Sequence, residues 1–379
     1  MAIFGFSFAF PFLSIFISKD LGVPQGRELD LWTAAIASVS GLSMAIASPI
    51  WGVMGDRFGR KPMLLRSMIG GSITVGLIFF ARSPTDLLVL RLLQGATSGT
   101  VAAATALVAA ETPRNRVGWA LGVVTSAVAL GGAIGPVIGG LAAAAFGLRL
   151  VFLAGGVLLL LSTIPVMVIV RESPRRPRAG VQVGTLDLIR QRPGAVHALT
   201  VLIGAQGLIS VCNSATQQLV VLRLLEMLST GVSAVTGVAF GLAGVASSGA
   251  AVFYTRVTRR LGYVRTTAIA AVMVAVAVSL IAVAPWAAVV VAGVALNGLV
   301  SGVVIPATAS MIGLETPPEA QSTVFGANAS SVALGFAIGP AVGGAVAATA
   351  GVPIALIVIA ALAIGLAVLI ALGAREPVR

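Results

Sequence analysis

The stretch Gly52-Val53-Met54-Gly55-Asp56-Arg57-Phe58-Gly59-Arg60-Lys61 sets one acid and three bases between two apolar runs. Ahead of it, Thr33 to Met54 carries no charge, and behind it neither does Ser67 to Ala81. A helix needs about 20 apolar residues to cross the hydrocarbon of a bilayer, and loops rich in Lys and Arg stay on the cytoplasmic side. The stretch therefore reads as a tight cytoplasmic turn between two membrane helices.

Composition extends that reading to the whole chain. Of 379 residues, 58% are hydrophobic and 9% charged, and the mean hydropathy is +1.06. Such a chain is too apolar for soluble globular domains. Twelve apolar runs recur, at 1–17, 33–54, 63–81, 86–110, 117–141, 150–170, 197–221, 233–255, 266–284, 286–312, 323–347 and 352–373. The expected fold class is an all-α integral membrane protein with twelve transmembrane helices. The first run has neither a basic start nor a small-residue cleavage site, so it is a true helix rather than a secretory signal. At roughly 25 Å by helical rise it is slightly short, and a further turn ahead of Met1 is expected. The single Cys212 excludes an intrachain disulfide, and no metal-spaced His, Cys or acid set occurs, so no metal or cofactor is expected.

The net charge of +12 would fit nucleic-acid binding if the bases formed a patch, but they follow the membrane instead. Lys19, Arg27, Arg82, Arg149 and Arg223 fall on one side and Arg91 inside a helix, which leaves 18 of the 24 bases on the side of both termini. The positive-inside rule then puts both termini in the cytoplasm of a cell bounded by the plasma (inner) membrane. Lipid, not nucleic acid, is the expected surface partner.

A repeat runs through the chain. Gly122, Gly131, Gly135, Pro136, Gly139 and Gly140 return 204 positions later as Gly326, Gly335, Gly339, Pro340, Gly343 and Gly344. Glu111-Thr112-Pro113 returns at the same offset as Glu315-Thr316-Pro317, while Gly95 and Gly99 return at 203 as Gly298 and Gly302, and Arg57 and Gly59 as Arg260 and Gly262. Two six-helix bundles in parallel orientation follow, 1–172 and 196–379, joined by a basic cytoplasmic linker at 173–195. Glycines four apart line one helix face and let a neighbour approach to backbone contact, and each proline permits a bend.

The loop spacing G-x-x-x-D-R-x-G-R-[RK], filled here by Gly52, Asp56, Arg57, Gly59, Arg60 and Lys61, resembles the signature of major facilitator superfamily transporters at every defined position. The glycine row of the fifth helix is similar to the antiporter motif of its drug exporters. Trp51-Gly52, Leu64-Leu65-Arg66-Ser67, Gly118-Trp119-Ala120-Leu121-Gly122 and Gly147-Leu148-Arg149 look like the twelve-helix drug:proton antiporters of MdtG type. The resemblance implies alternating access of two halves around a central cavity, with Asp56 engaging the opposite half to hold the outward-facing state. It also implies the proton gradient as the energy source. Arg91-Leu92-Leu93-Gln94-Gly95 is similar to the family's R-x-x-Q-G motif, which gives Arg91, Gln94 and Gly95 a coupling or cavity role.

Every one of the twelve acids falls at a predicted helix end or in a loop, so the proton-carrying group is not identified by the sequence. In the seventh helix Gln206, Ser210, Asn213 and Gln217 share a face, and with Asn297 of the tenth they are candidates for the substrate cavity. With Arg91 the sole charge expected there, neutral or anionic amphipathic cargo is favoured. The leading expectation is a monomeric multidrug exporter. The alternative is an uptake symporter or facilitator of the same fold, since fold does not set direction. An enzyme is not expected, because no nucleotide loop, metal set or paired acids occur.

Overall fold

The computed structural model describes residues 8, 10–113, 116–172, 194–316 and 320–376, and the regular structure among them is helical throughout. A short turn at Phe10–Phe12 leads into α1 (Leu13–Lys19). There follow α2 (Arg27–Phe58), α3 (Arg60–Leu77), α4 in two pieces, α4a (Pro84–Thr97) and α4b (Thr100–Glu111), α5 (Val117–Phe146) and α6 (Leu148–Val168). The second set is α7 (Ala195–Met227), α8 (Val232–Leu261), α9 (Tyr263–Ala282), α10 (Ala287–Glu315), α11 (Gln321–Ala350) and α12 (Val352–Gly373). Among the described residues, eleven stretches are long and apolar enough to cross a membrane. Residues 1–7 and 9 of the first expected crossing, 1–17, and nearly all of the expected linker, 173–195, lie outside the described residues.

One expected span is not a single helix. The sequence predicts continuity over 86–110, but the structure breaks it at Ser98-Gly99, where Gly99 has φ 116°. Only glycine takes that conformation without strain. A helix end leaves carbonyls without intrahelical donors, and two neighbouring helices supply them. Arg66 of α3 donates Nη2 to the Ser98 carbonyl at 3.1 Å, and Trp51 of α2 donates Nε1 to the Ala96 carbonyl at 2.6 Å. The Arg66 guanidinium also stacks on the Trp51 ring, 3.6 Å from its centroid. Hydropathy cannot see such a break, because it is held by side chains from outside the helix.

The halves repeat each other's packing. In the first, α2 lies on α4 and α3 on α6; in the second, α8 lies on α10 and α9 on α12. The halves meet where α2 crosses α11 and α5 crosses α8. For orientation, the end carrying the turns at Gly59 and Gly262 and the residues Arg171 and Arg375 is the basic end, and the other is the far end. Toward the far end the crossings are at backbone contact. A Cβ on Gly140 would press on Gly237 of α8, and one on Gly344 would overlap Ala34 of α2. Midway, Gly41 meets Ala337 and Gly244 meets Ala133. Toward the basic end contact ceases: nothing lies within 4 Å of a Cβ built on Gly52, Gly249 or Gly326, and Val53 and Val252 are about 70% exposed. The halves are therefore closed at the far end and parted at the basic end.

Candidate transport pathway and gating loop

The loop from Gly52 to Lys61 is built on a one-residue joint. Gly59, at φ 106°, ends α2 and starts α3, and Gly262, at φ 84°, does the same between α8 and α9. Each joint sits under a carboxylate from the end of its own half. Glu172 accepts from the backbone N–H groups of Arg60 and Lys61 at 2.7 and 3.0 Å. Glu376 accepts from those of Val264 and Tyr263 at 2.9 and 3.0 Å. The first N–H groups of a helix have no intrahelical acceptor and carry its positive dipole end, so each acid caps α3 or α9 in both senses. Sequence reasoning passed over this pair, although Arg171-Glu172 and Arg375-Glu376 stand at the same 204 offset as the glycine rows.

The loop's bases divide between two tasks. Arg60 donates Nη1 to the Ala106 carbonyl of α4b, and Lys61 donates Nζ to the Met167 carbonyl of α6 at 2.9 Å. Both therefore tie the loop to its own half. Arg57 is exposed, its guanidinium over the ring of Phe58. Asp56 lies in the last turn of α2, on the edge of the gap between the halves; its side chain is outside the described set.

A family model for the Major Facilitator Superfamily matches residues 1–222 and again 207–379. The chain belongs to this superfamily. It is similar to the multidrug resistance protein MdtG of Dickeya zeae, 31% identical over 356 residues that cover 91% of this chain and 85% of that one. To the MdtG of Klebsiella pneumoniae it is 28% identical over 381 residues, covering 98% and 90%. Among solved structures, it superposes on a bacterial homologue of the human lysosomal transporter Spinster with a TM-score of 0.78 at 13% identity, covering 98% of this chain and 94% of that one. The protein is thus a multi-pass membrane transporter and not an enzyme.

In this superfamily member the two glycine rows have distinct partners. Gly335 and Gly339 of α11 press on Gly207, Ser210, Val211 and Ser214 of α7, and Gly343 makes ordinary contact with Ala215 and Leu219. In α5, Gly139 meets the Phe8 carbonyl and Phe12 of the first helix, and Gly135 and Pro136 are buried. Gly131 is half-buried, and Gly122 lies in α5 near its basic end. The rows therefore seat α5 on the first helix and α11 on α7 within each half, while the last glycine of each, Gly140 and Gly344, faces across to the other half.

The polar stripe of α7 is split by this packing. Ser210 donates to the Gln206 carbonyl at 3.0 Å, and both are buried where α11 arrives. Asn213 turns to α10, where its Oδ1 accepts from Ser301 at 3.1 Å, and Gln217 is exposed. Asn297 of α10 keeps a buried Oδ1 without a partner. Arg91 is buried and donates Nη1 to Gln94 Oε1 at 2.8 Å, while Gly95 presses on the Ser40 carbonyl of α2. A recess of about 310 Å³ lined by Phe8, Phe146, Leu150 and Val157 is apolar and opens outward between the first helix, α5 and α6. It is remote from these polar groups and has the character of a lipid-facing groove rather than a cargo site. Asp30, which the sequence places at a helix end or in a loop, is in the first turn of α2, and it is buried there. The predicted span began after it, so no hydropathy signal marked it.

Proposed function

We propose that this protein exports small amphipathic compounds by alternating access, driven by the proton gradient. It works as a monomer in the plasma (inner) membrane, with both termini and the 173–195 linker in the cytoplasm. The observation that carries the reading is a complete gating loop placed on halves that touch at the far end and part at the basic end. Relatives named as multidrug resistance proteins, matched over nearly the whole chain, support the cargo class. In this state cargo enters from the cytoplasm, and Asp56, at the rim of the gap, locks the basic ends together when they swing shut. The lock favours an ionised Asp56 because the α11 end it meets is a helix N-terminus, whose dipole attracts negative charge. Arg91 is the buried base of the first half and the described acids, Asp30 among them, sit at helix ends, so neutral and anionic cargo is preferred over permanent cations.

Proteoliposomes with an imposed pH gradient test the reading. An acidic lumen drives a neutral or anionic amphipathic dye into inside-out vesicles, and dications compete poorly. Asp56→Asn lowers this uptake by about tenfold, within the range of coupling free energies for two-state switches, with helix content unchanged. Uptake by right-side-out vesicles alone would reverse the direction, and a wild-type rate in Asp56→Asn would remove the gating role.

A further inference from the structure

Acids in the first turn of a helix usually cap it. Asp86, at the far end, does so in α4a, where it accepts from the backbone N–H groups of Arg82 and Ser83 at 2.9 and 3.0 Å and is exposed. Asp30 occupies the first turn of α2 at the same end and behaves differently. It is 6% exposed, α2 starts without a side-chain cap, and among the described residues its carboxylate has neither a hydrogen bond nor an ion pair.

What surrounds Asp30 belongs mostly to the opposite half. It opens on a recess of about 20 Å³ shared with Gln25, Leu222, Glu226 and Val352, room for about one water molecule. The charges nearby are committed elsewhere. Arg223 of α7 pairs with Glu226 at 3.0 Å and donates its other terminal nitrogen to the Ala284 carbonyl at 3.2 Å. Arg27 and Glu28 on α2 itself are exposed, and α11 and α12 present Gly344 and Val352, neither of which titrates. Deeper in, Gln218 is 8% exposed and both its amide atoms lack partners. Its Nε2 and the Asp30 carbonyl both lie against Gly344. The hydroxyl of Thr33, one turn further along α2, is likewise buried and partnerless.

The repeat shows that the fold does not require this acid. The position 203 residues on is Ser233, whose carbonyl packs on Gly140 as the Asp30 carbonyl packs on Gly344. The backbone contact is the same; the carboxylate is extra.

We propose that Asp30 is the proton-binding residue of the transport cycle, taking a proton at the far end and yielding it to the basic end. The proposal rests on the proton-coupled export reading. With the far end open, the carboxylate stands in water and is charged. Closure strips that water and sets it beside Glu226, and a buried carboxylate without a partner is far more costly than a neutral acid. The far end therefore closes once Asp30 has taken one proton from that side. In the closed state the proton leaves to water that enters from the opening between the halves along the polar groups of Gln218 and Thr33. Its loss makes the closed far end unfavourable again, and the halves return with cargo. One proton enters at the far side and one leaves at the basic side per cycle.

Reconstituted full-length protein decides it, with a neutral amphipathic fluorescent dye as probe. Asp30→Asn is expected to keep dye counterflow, which moves no net proton, within about twofold of wild type, and to lose pH-driven accumulation by about tenfold or more. If Asp30→Asn is still driven by the pH gradient while wild type is too, the proposal is overturned and the export reading stands. A wild type that exports without response to pH, or responds to sodium instead, overturns both. Should Asp30→Asn lose counterflow as well, Glu226→Gln carries the test. Removing the like charge moves the midpoint of pH-driven export to lower pH, and an unchanged midpoint overturns the assignment.

Discussion

The fourth and tenth helices occupy matching places in the two halves, yet α4 is broken at Ser98-Gly99 and α10 runs unbroken through Ser301-Gly302. The repeat offset changes between these points, from 203 at Gly99/Gly302 to 204 at Glu111/Glu315, so the first half is one residue shorter there. Removing one residue from a helix rotates everything beyond it by about 100°. The break resets the face: Thr100 Oγ1 meets Ser67 at 3.1 Å and the Ala106 carbonyl receives Arg60. In the second half no reset is needed, and Gly302 seats on the Ser247 carbonyl of α8, while Gly99 has only Arg66 near it, at 3.9 Å from a built Cβ. Where the first half uses Trp51 and Arg66 as a wedge, the second has Tyr254, bonded to Ser310 at 3.1 Å, and an exposed Ile269. A single residue of register thus separates a broken helix from a continuous one in the same fold.

The comparison is most open to attack at the two glycines. Gly302→Leu drives a side chain into backbone and is expected to cost about 3 kcal/mol, at the upper end of overpacking. Gly99→Leu enters open space and pays only for its backbone conformation, about 1–2 kcal/mol. Thermal unfolding in detergent ranks the two, and equal losses would mean that the helices are packed alike. Next in size is the wedge: Arg66→Met removes the stack on Trp51 and the bond to Ser98, for about 1–2 kcal/mol. Amide exchange should quicken around residues 97–101, whereas Ile269→Met at the matching place stays within about 0.5 kcal/mol. The smallest effect concerns a feature the halves share. Glu172→Gln and Glu376→Gln should each cost about 0.5–1 kcal/mol through the weakened cap; unequal losses would show that the two joints, alike in geometry, differ in load.

Much of the architecture was legible in the residues. The twelve runs, the 204 repeat and the loop from Gly52 to Lys61 gave helix number, order and parallel halves, and the glycine spacing marked α5 and α11 as close-packed. The candidate site was legible only in part. The stripe Gln206, Ser210, Asn213 and Gln217 shares a face by periodicity, but α11 covers Gln206 and Ser210 and leaves Gln217 exposed. Asp30 was placed only at a helix end or in a loop because charge ends a hydropathy window, whereas burial depends on what packs against it.

Crossing helices follow from the sequence itself, since hydrocarbon offers no partner to backbone groups and an apolar run of sufficient length has no other way to satisfy them. The charged turns and the repeat are equally local and need no neighbours to be read. The side chains that hold the break in α4, the partners of each glycine, the capping by Glu172 and Glu376 and the burial of Asp30 were decided by tertiary structure alone. Each depends on which side chains of distant helices arrive at a point, and in a membrane that choice is made by interhelical packing rather than by hydrophobicity, which is nearly the same on every side.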